Sequence, residues 1–534
     1  MQKSYALYCR KFALLAGIIL FSVQFGRSQS VPLQYQYQFY QKFNAEVYSV
    51  ENTAHTALKP FLMDETLTAK YDSLMAGAPH QSGDSWVYRK IFNEHLFDVR
   101  KPEYTFYADP IVDLQIGRDI EGKNTTWLNA RGFQLGGTIG TKFSFYTSGF
   151  ENQGRFPAYY NALVNRTGIV PGQAYDRKFG KSLTKDWSYV TATVSYTPIK
   201  QLNFVLGQDK MFIGDGYRSL LLSDYASNYP FFKTTLNLGP VQYTAIWAYM
   251  EDTDYRVPQF DVFGSNRRKW SAFHYFDWNV TKRLSFGFFN AYVAPEADDT
   301  GKRRGFDANF INPVFFASSI GPSSQPGNTL YGLTGKYKFL DKNAFYAQLL
   351  LDRVKGAESA AVTTKSWQAG VRGADLFGVR SLNYLVEYNT AQPYTYTGAE
   401  SLSGYTQFGE PLAHPFGANF REMLGIVNYS IGRFDFMGQL TYAKYGLNKD
   451  NINYGKDINT PLVDANTVTS TGQGLSTTLQ YAEGTISFLV NPRTNLRVEV
   501  GGMYRRQKND LTTSTASVIT FGIRSSFRNM YKDF

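Results

Sequence analysis

From about residue 105 onward, apolar and polar positions alternate with period two in short runs. In Trp187–Pro198, Val190, Ala192, Val194 and Tyr196 alternate with Thr191, Thr193 and Ser195. Leu202, Phe204 and Leu206 form a similar set, and Leu382, Tyr384, Val386 and Tyr388 alternate with Asn383 and Glu387. Near the end, Leu496, Val498 and Val500 interleave with Arg497 and Glu499, and Ile519, Phe521 and Ile523 with Thr520, Gly522 and Arg524. One apolar face opposite one polar face is the signature of strands in a half-buried sheet.

Loop lengths select the kind of sheet. Tight turns with Gly, Pro, Asn or Asp chemistry fall at 198–201, 238–240, 280–282, 340–343, 430–432 and 491–494, with two less distinct ones at 136–140 and 376–378. Longer polar connections such as 151–185, 210–231 and 392–419 lie between them. Short turns alternating with long loops predict an all-β, transmembrane outer-membrane β-barrel, with the short turns in the periplasm. A soluble sandwich has no reason to sort loop length by parity. Eight short hairpins supply sixteen antiparallel strands, and strands near Thr105–Gly117 and Ser514–Phe527 raise the count to eighteen. Sixteen also fits the pattern. An even count leaves both ends of the barrel on the periplasmic side. The closing Phe534, after an alternating strand, resembles the recognition signal of outer-membrane barrels.

Upstream, Lys3, Arg10 and Lys11 precede an apolar run from Phe12 to Phe25, followed by the small residues Gly26 and Ser28. This predicts a signal peptide over 1–28, cleaved before Gln29. Residues 29–104 do not continue the barrel pattern and read as a small, partly helical periplasmic segment ahead of a barrel over 105–534. Helices are expected at 64–75 and 84–97, with Asp64 and either Asp84 or Ser85 as N-caps. Trp86, Ile91 and Phe92 would pack on a neighbour. Leu33, Tyr35, Tyr37 and Phe39 alternate with glutamines and suit helix or strand.

Composition narrows the chemistry. The 534 residues are 43% hydrophobic and 16% aromatic, which excludes a disordered chain. Cys9, the single cysteine, lies in the predicted signal, so disulfides and thiol chemistry are excluded from the exported chain. Removing Lys3, Arg10, Lys11 and Arg27 leaves 51 basic against 44 acidic residues, a net +7. The basic clusters are scattered, which suits solvated loops or lipid headgroups rather than nucleic acid.

Nothing in the sequence points to catalysis, a cofactor or a metal. The histidines (His55, His80, His95, His274, His414) show no ligand spacing, and neither a nucleophile elbow nor a phosphate loop is present. His274 shares parity with Trp270 and Trp278, which places it at the lipid boundary. His414, in a long loop, reads as solvated. The most distinctive stretch is Gly207–Pro230. Gly214-Asp215-Gly216 permits a sharp turn, and Leu220-Leu221-Leu222 is too apolar for free solvent. Asp215, Tyr217, Arg218, Asp224, Tyr225 and Asn228 there combine donors, acceptors and flat rings, the mixture that sugars need. The alternative is a constriction loop held by Arg218–Asp224 pairing, without ligand.

That stretch, with Asn309-Phe-Ile-Asn-Pro-Val-Phe-Phe316, Gly327-Asn328 and Tyr331-Gly-Leu333, resembles the capsule-assembly Wzi-like family of outer-membrane barrels. It is closest to the branch in gliding bacteria that includes the motility protein RemB. The resemblance covers roughly Tyr104 to Phe534. It implies an eighteen-stranded barrel behind a periplasmic helical segment, holding surface polysaccharide without enzymatic activity. The gliding branch implies a role in surface motility, with secretion or motility components as possible partners. The glycine-aspartate-glycine loop and Asn312-Pro313 match the family, whereas individual sugar contacts are not carried over. A porin-like diffusion channel is the competing function.

Overall fold

A computed structural model describes residues 32–77, 85–178, 182–252, 267–306, 308–314, 327–354 and 361–534. The predicted signal peptide and residues 315–316 of the second family motif lie outside them.

Alternation along the chain becomes a closed antiparallel ring of eighteen strands. In chain order these are β1 (Tyr104–Asp119), β2 (Asn124–Ile139), β3 (Phe143–Arg155), β4 (Lys185–Ile199), β5 (Leu202–Asp209) and β6 (Tyr229–Asn237). Then follow β7 (Val241–Asp252), β8 (Arg267–Asn279), β9 (Leu284–Pro295), β10 (Asn328–Leu340), β11 (Asn343–Val354) and β12 (Val362–Gly373). The ring closes with β13 (Leu382–Ala391), β14 (Phe420–Ile431), β15 (Phe434–Leu447), β16 (Leu475–Asn491), β17 (Leu496–Lys508) and β18 (Thr513–Arg524). Each strand pairs with its sequence neighbours, and β18 returns to β1 over Val518–Arg524 against Asp113–Asp119. Below that seam the short strand Phe97–Arg100 continues the wall beside β1. Closure pairs each of the eighteen ring strands on both sides, so their backbone is satisfied within the wall. No helix among the described residues is long and apolar enough to cross a membrane. The fold is that of an outer-membrane β-barrel.

Side-chain parity follows the sequence pattern. Val190 and Val194 point outward, about half exposed, while Thr191, Thr193 and Ser195 are buried inside. The eight expected hairpins all close at one end of the barrel, although the one expected at 136–140 turns at 140–142, since 136–139 pair within β2. At the other end most connections are long, but 120–123 and 509–512 are as short as turns. Loop length is therefore sorted less strictly than the sequence suggested.

The helix expected at 64–75 forms, whereas the one expected at 84–97 ends at Phe92 and Phe97 opens a strand. Helix α1 (Glu65–Met75) is capped by Asp64, which accepts from the Leu67 amide, and α2 (Trp86–Phe92) by Ser85, which accepts from the Tyr88 amide. Trp86 and Ile91 remain exposed rather than packed. A third helix, α3 (Ala158–Thr167), lies in the connection after β3.

Residues 32–63 depart from the expectation of a segment in front of the barrel. They enter its short-turn mouth, because their polar groups find partners on the inner wall. Lys42 pairs with Asp435 at 2.6 Å and His55 Nδ1 meets Asp277 at 2.7 Å. The Lys338 ammonium donates to the Ser49 and Asn52 carbonyls at 2.8 and 2.7 Å. The stretch that suited helix or strand is helical only at Tyr37–Tyr40. Residues 525–534 also turn inside. β18 stops at Arg524, so Phe534 does not end a wall strand; it packs in the lumen against Tyr159, Tyr160 and Tyr225.

Candidate functional site

The connection after β5 turns down into the lumen, driven by its leucines. Leu220, Leu221 and Leu222 are fully buried against the inward side chains Ile246, Phe273, Phe289, Leu330 and Leu350. Burying each leucine stabilises this path by about 1.5–3 kcal/mol. The two glycines permit the close approach. Gly214 has φ +149°, and a Cβ there would stand 2.2 Å from Gln348 Nε2; at Gly216 it would stand 2.1 Å from Glu387 Oε2.

The other side of the loop is polar and meets carboxylates from the wall. Glu387 on β13 accepts from the backbone amides of Tyr217 and Arg218 at 3.0 and 3.2 Å and from the Tyr346 hydroxyl at 2.7 Å. Arg218, 1% exposed, donates to Asp533 at 2.5 Å and to Glu422 on β14 at 3.3 Å, and lies 4.8 Å over the Tyr217 ring. Glu422 also accepts from Asn389 at 2.9 Å and from His414 Nε2 at 2.7 Å.

The six residues singled out by the sequence thus come together, but each is engaged within the chain. Asp215 accepts from Tyr48 and Thr56 hydroxyls at 2.9 and 2.5 Å. Burial pushes its carboxyl up, but the Lys336 and Lys59 charges and the Thr56 hydroxyl outweigh this and hold it at about 2. Asp224 accepts from Tyr531 at 2.7 Å and Asn529 at 2.6 Å, so the expected Arg218–Asp224 pair does not form; residues of the 525–534 tail take both partners. Tyr217 and Tyr225 lie 5.8 and 5.7 Å from the Tyr531 ring, and Asn228 donates to the Val190 carbonyl.

Asp113 on β1 steers the tail inward. It accepts from the amides of Ser525 and Ser526 at 3.0 and 3.1 Å and from the Ser526 hydroxyl at 2.6 Å. The 392–419 connection closes the lumen from the long-loop end. Tyr396 and Tyr405 hydroxyls donate to the Leu220 and Leu221 carbonyls at 2.8 and 2.7 Å, and Glu410 accepts from Gly172 and Ser227.

Two histidine readings change. His414 is fully buried rather than solvated, stacked on Phe420 with centroids 4.2 Å apart. His274 does point outward, yet 308–314 covers it: Tyr243 bridges His274 at 2.7 Å to the Pro313 carbonyl at 2.5 Å. The residues that the sequence reading missed, Gln348, Glu387, Asn389 and Glu422, occupy inward positions of apolar-patterned strands. Amides and carboxylates at those positions were the available signal. Asp533 and Tyr531 were hidden by reading the last residues as wall.

No family model matches the sequence, and no curated protein matches it. Among solved structures the fold is similar to that of Wzi from Escherichia coli, an outer-membrane protein involved in group 1 capsule assembly and described as a carbohydrate-binding β-barrel. The match has a TM-score of 0.56 at 14% identity and covers 93% of this chain and 100% of that one. Pseudomonas aeruginosa OprD aligns with a TM-score of 0.43 at 10% identity, covering 78% of this chain and 94% of its own. Acinetobacter baumannii OccAB2 gives 0.41 at 10% identity, covering 78% and 96%. The chain therefore has the fold of a Wzi-type outer-membrane barrel.

Proposed function

We propose that this barrel is a non-enzymatic anchor that holds surface polysaccharide at the outer membrane and so supports capsule or exopolysaccharide attachment or gliding. The observation that carries the reading is the filled lumen. Residues 32–63, 210–228, 392–419 and 525–534 interlock inside the wall, which suits a barrel working at its outer rim better than one passing solutes. The fold shared with a carbohydrate-binding barrel supports the same reading. Asp215, Tyr217, Arg218, Asp224, Tyr225 and Asn228 then serve as the constriction loop, and polysaccharide meets the exposed parts of the long connections.

The test pairs single-channel recording with binding of the producing cell's own exopolysaccharide to purified protein. Binding without steady conductance upholds the anchor. Large, steady conductance without binding replaces it with the diffusion channel. Deleting the gene and measuring retained polysaccharide and surface spreading separates attachment from gliding.

A further inference from the structure

Outward-facing side chains of β14 to β18 form rows that can be followed strand by strand from the paired registers. The row nearest the long-loop end runs Arg421, Lys444, Thr478, Lys508, Thr513. The next runs Met423, Tyr442, Gln480, Arg506, Thr515. Two rows further down come Val427, Gly438, Gly484, Gly502 and Ile519, followed by an apolar row of Tyr429, Phe436, Ile486, Val500 and Phe521.

Two features of these rows are unexplained by the fold. Arg421 and Lys444 are both exposed and directly opposite on adjacent strands, an arrangement that is destabilising without a counter-charge. None of Arg421, Lys444, Arg506 and Lys508 takes part in an ion pair among the described residues. Below them, three glycines face outward side by side. A Cβ at Gly438 would meet nothing within 4 Å, and at Gly484 and Gly502 only a carbonyl oxygen at 3.9 Å, so internal packing does not demand glycine there. With Gly425, Leu440 and Tyr504 they line a groove in the outer wall.

We propose that this face binds lipid A, its phosphates on Arg421, Lys444, Arg506 and Lys508 and an acyl chain in the Gly438–Gly484–Gly502 groove. Charge complementarity selects the headgroup, since a basic cluster at the edge of an apolar wall attracts anionic lipid. The groove below selects an acylated anion over a free one, because a chain lying in it gains apolar contact that phosphate alone cannot.

The test uses full-length protein in neutral detergent. The probes are bisphosphorylated lipid A, dephosphorylated lipid A, phosphatidylglycerol and inorganic phosphate. Wild type should bind lipid A, weaken with salt, and lose about tenfold in affinity for the dephosphorylated form. Arg421→Gln/Lys444→Gln should lose about tenfold for lipid A while unfolding no earlier than wild type in detergent alone, since it removes repulsion. Gly438→Leu/Gly484→Leu should weaken lipid A binding and leave heat-modifiability intact. Equal affinity of wild type and Arg421→Gln/Lys444→Gln overturns the proposal, as does equal binding of dephosphorylated lipid A. Should either variant fail to assemble, wild type decides alone: its unfolding midpoint must rise more with lipid A, whose two phosphates meet four cations, than with singly charged phosphatidylglycerol, and must not rise with inorganic phosphate.

Discussion

Without the Arg218 guanidinium, Glu422 and Asp533 would face each other in the lumen with no cation between them. Leaving a buried carboxylate uncompensated costs about 3–5 kcal/mol. Arg218→Ala is therefore expected to lower the unfolding midpoint of the assembled barrel sharply, and Arg218→Lys to recover part of the loss. His414 gives a pH-dependent test. Its Nδ1 accepts from the Phe416 amide at 3.1 Å and its Nε2 reaches Glu422, the arrangement of a neutral ring. Burial lowers it from 6.5 to about 4, against a smaller opposing pull from Glu422. The unfolded ring takes a proton first on acidification, so the folded state loses stability as pH falls from about 6.5 towards about 4. Comparing unfolding midpoints at about pH 7.5 and about pH 4.5, wild type should show an extra fall that His414→Gln lacks. At this scale the sequence was half readable. The six clustered residues of the loop stood out by local chemistry, but the partners of Arg218 and Asp224 lie 204 to 315 positions away, and no local spacing announces them.

For individual strands, a period of two fixed the inner and outer faces, and glycine, proline and asparagine marked the turns. Val194 faces outward in the apolar band, whereas Ser188, outward on the same strand, sits near the long-loop rim beside Glu151. An arginine costs about 2–4 kcal/mol at the bilayer midplane and about 0–1 near the interfaces. Val194→Arg should therefore reduce heat-modifiable barrel much more than Ser188→Arg, as read on a folded-versus-boiled gel. The segment 32–63 was less legible. Leu33, Tyr35, Tyr37 and Phe39 alternate with glutamines, yet the chain turns helical at Tyr37–Tyr40, because the surface it meets is the curved, mixed inner wall rather than a flat apolar face. The inward turn of 525–534 was missed for a related reason: alternation ends at Arg524, and what continues is chosen by the Asp113 carboxylate on the other side of the seam.

Taken as a whole molecule, the barrel is closed by its own chain. In planar bilayers wild type should show no steady conductance, and deleting 214–229 should open a stable channel. Removing 525–534 should open one too, because Arg218, Asp224 and Asp113 all lose partners at once. A silent recording from both deletions, in protein that is still heat-modifiable, would show that 32–63 and 392–419 seal the lumen unaided.

The Asp113 contact carries a consequence for cooperativity. The β1–β18 seam is held by the paired stretch Val518–Arg524, and just past it the same chain is fastened to β1 from inside. Parting the wall at this seam pulls on the tail, and pulling on the tail withdraws Asp533 from Arg218 and Tyr531 from Asp224. Lateral opening and unplugging are thereby mechanically linked. The molecule should melt in a single transition, with wall strands and lumen contents lost at the same temperature.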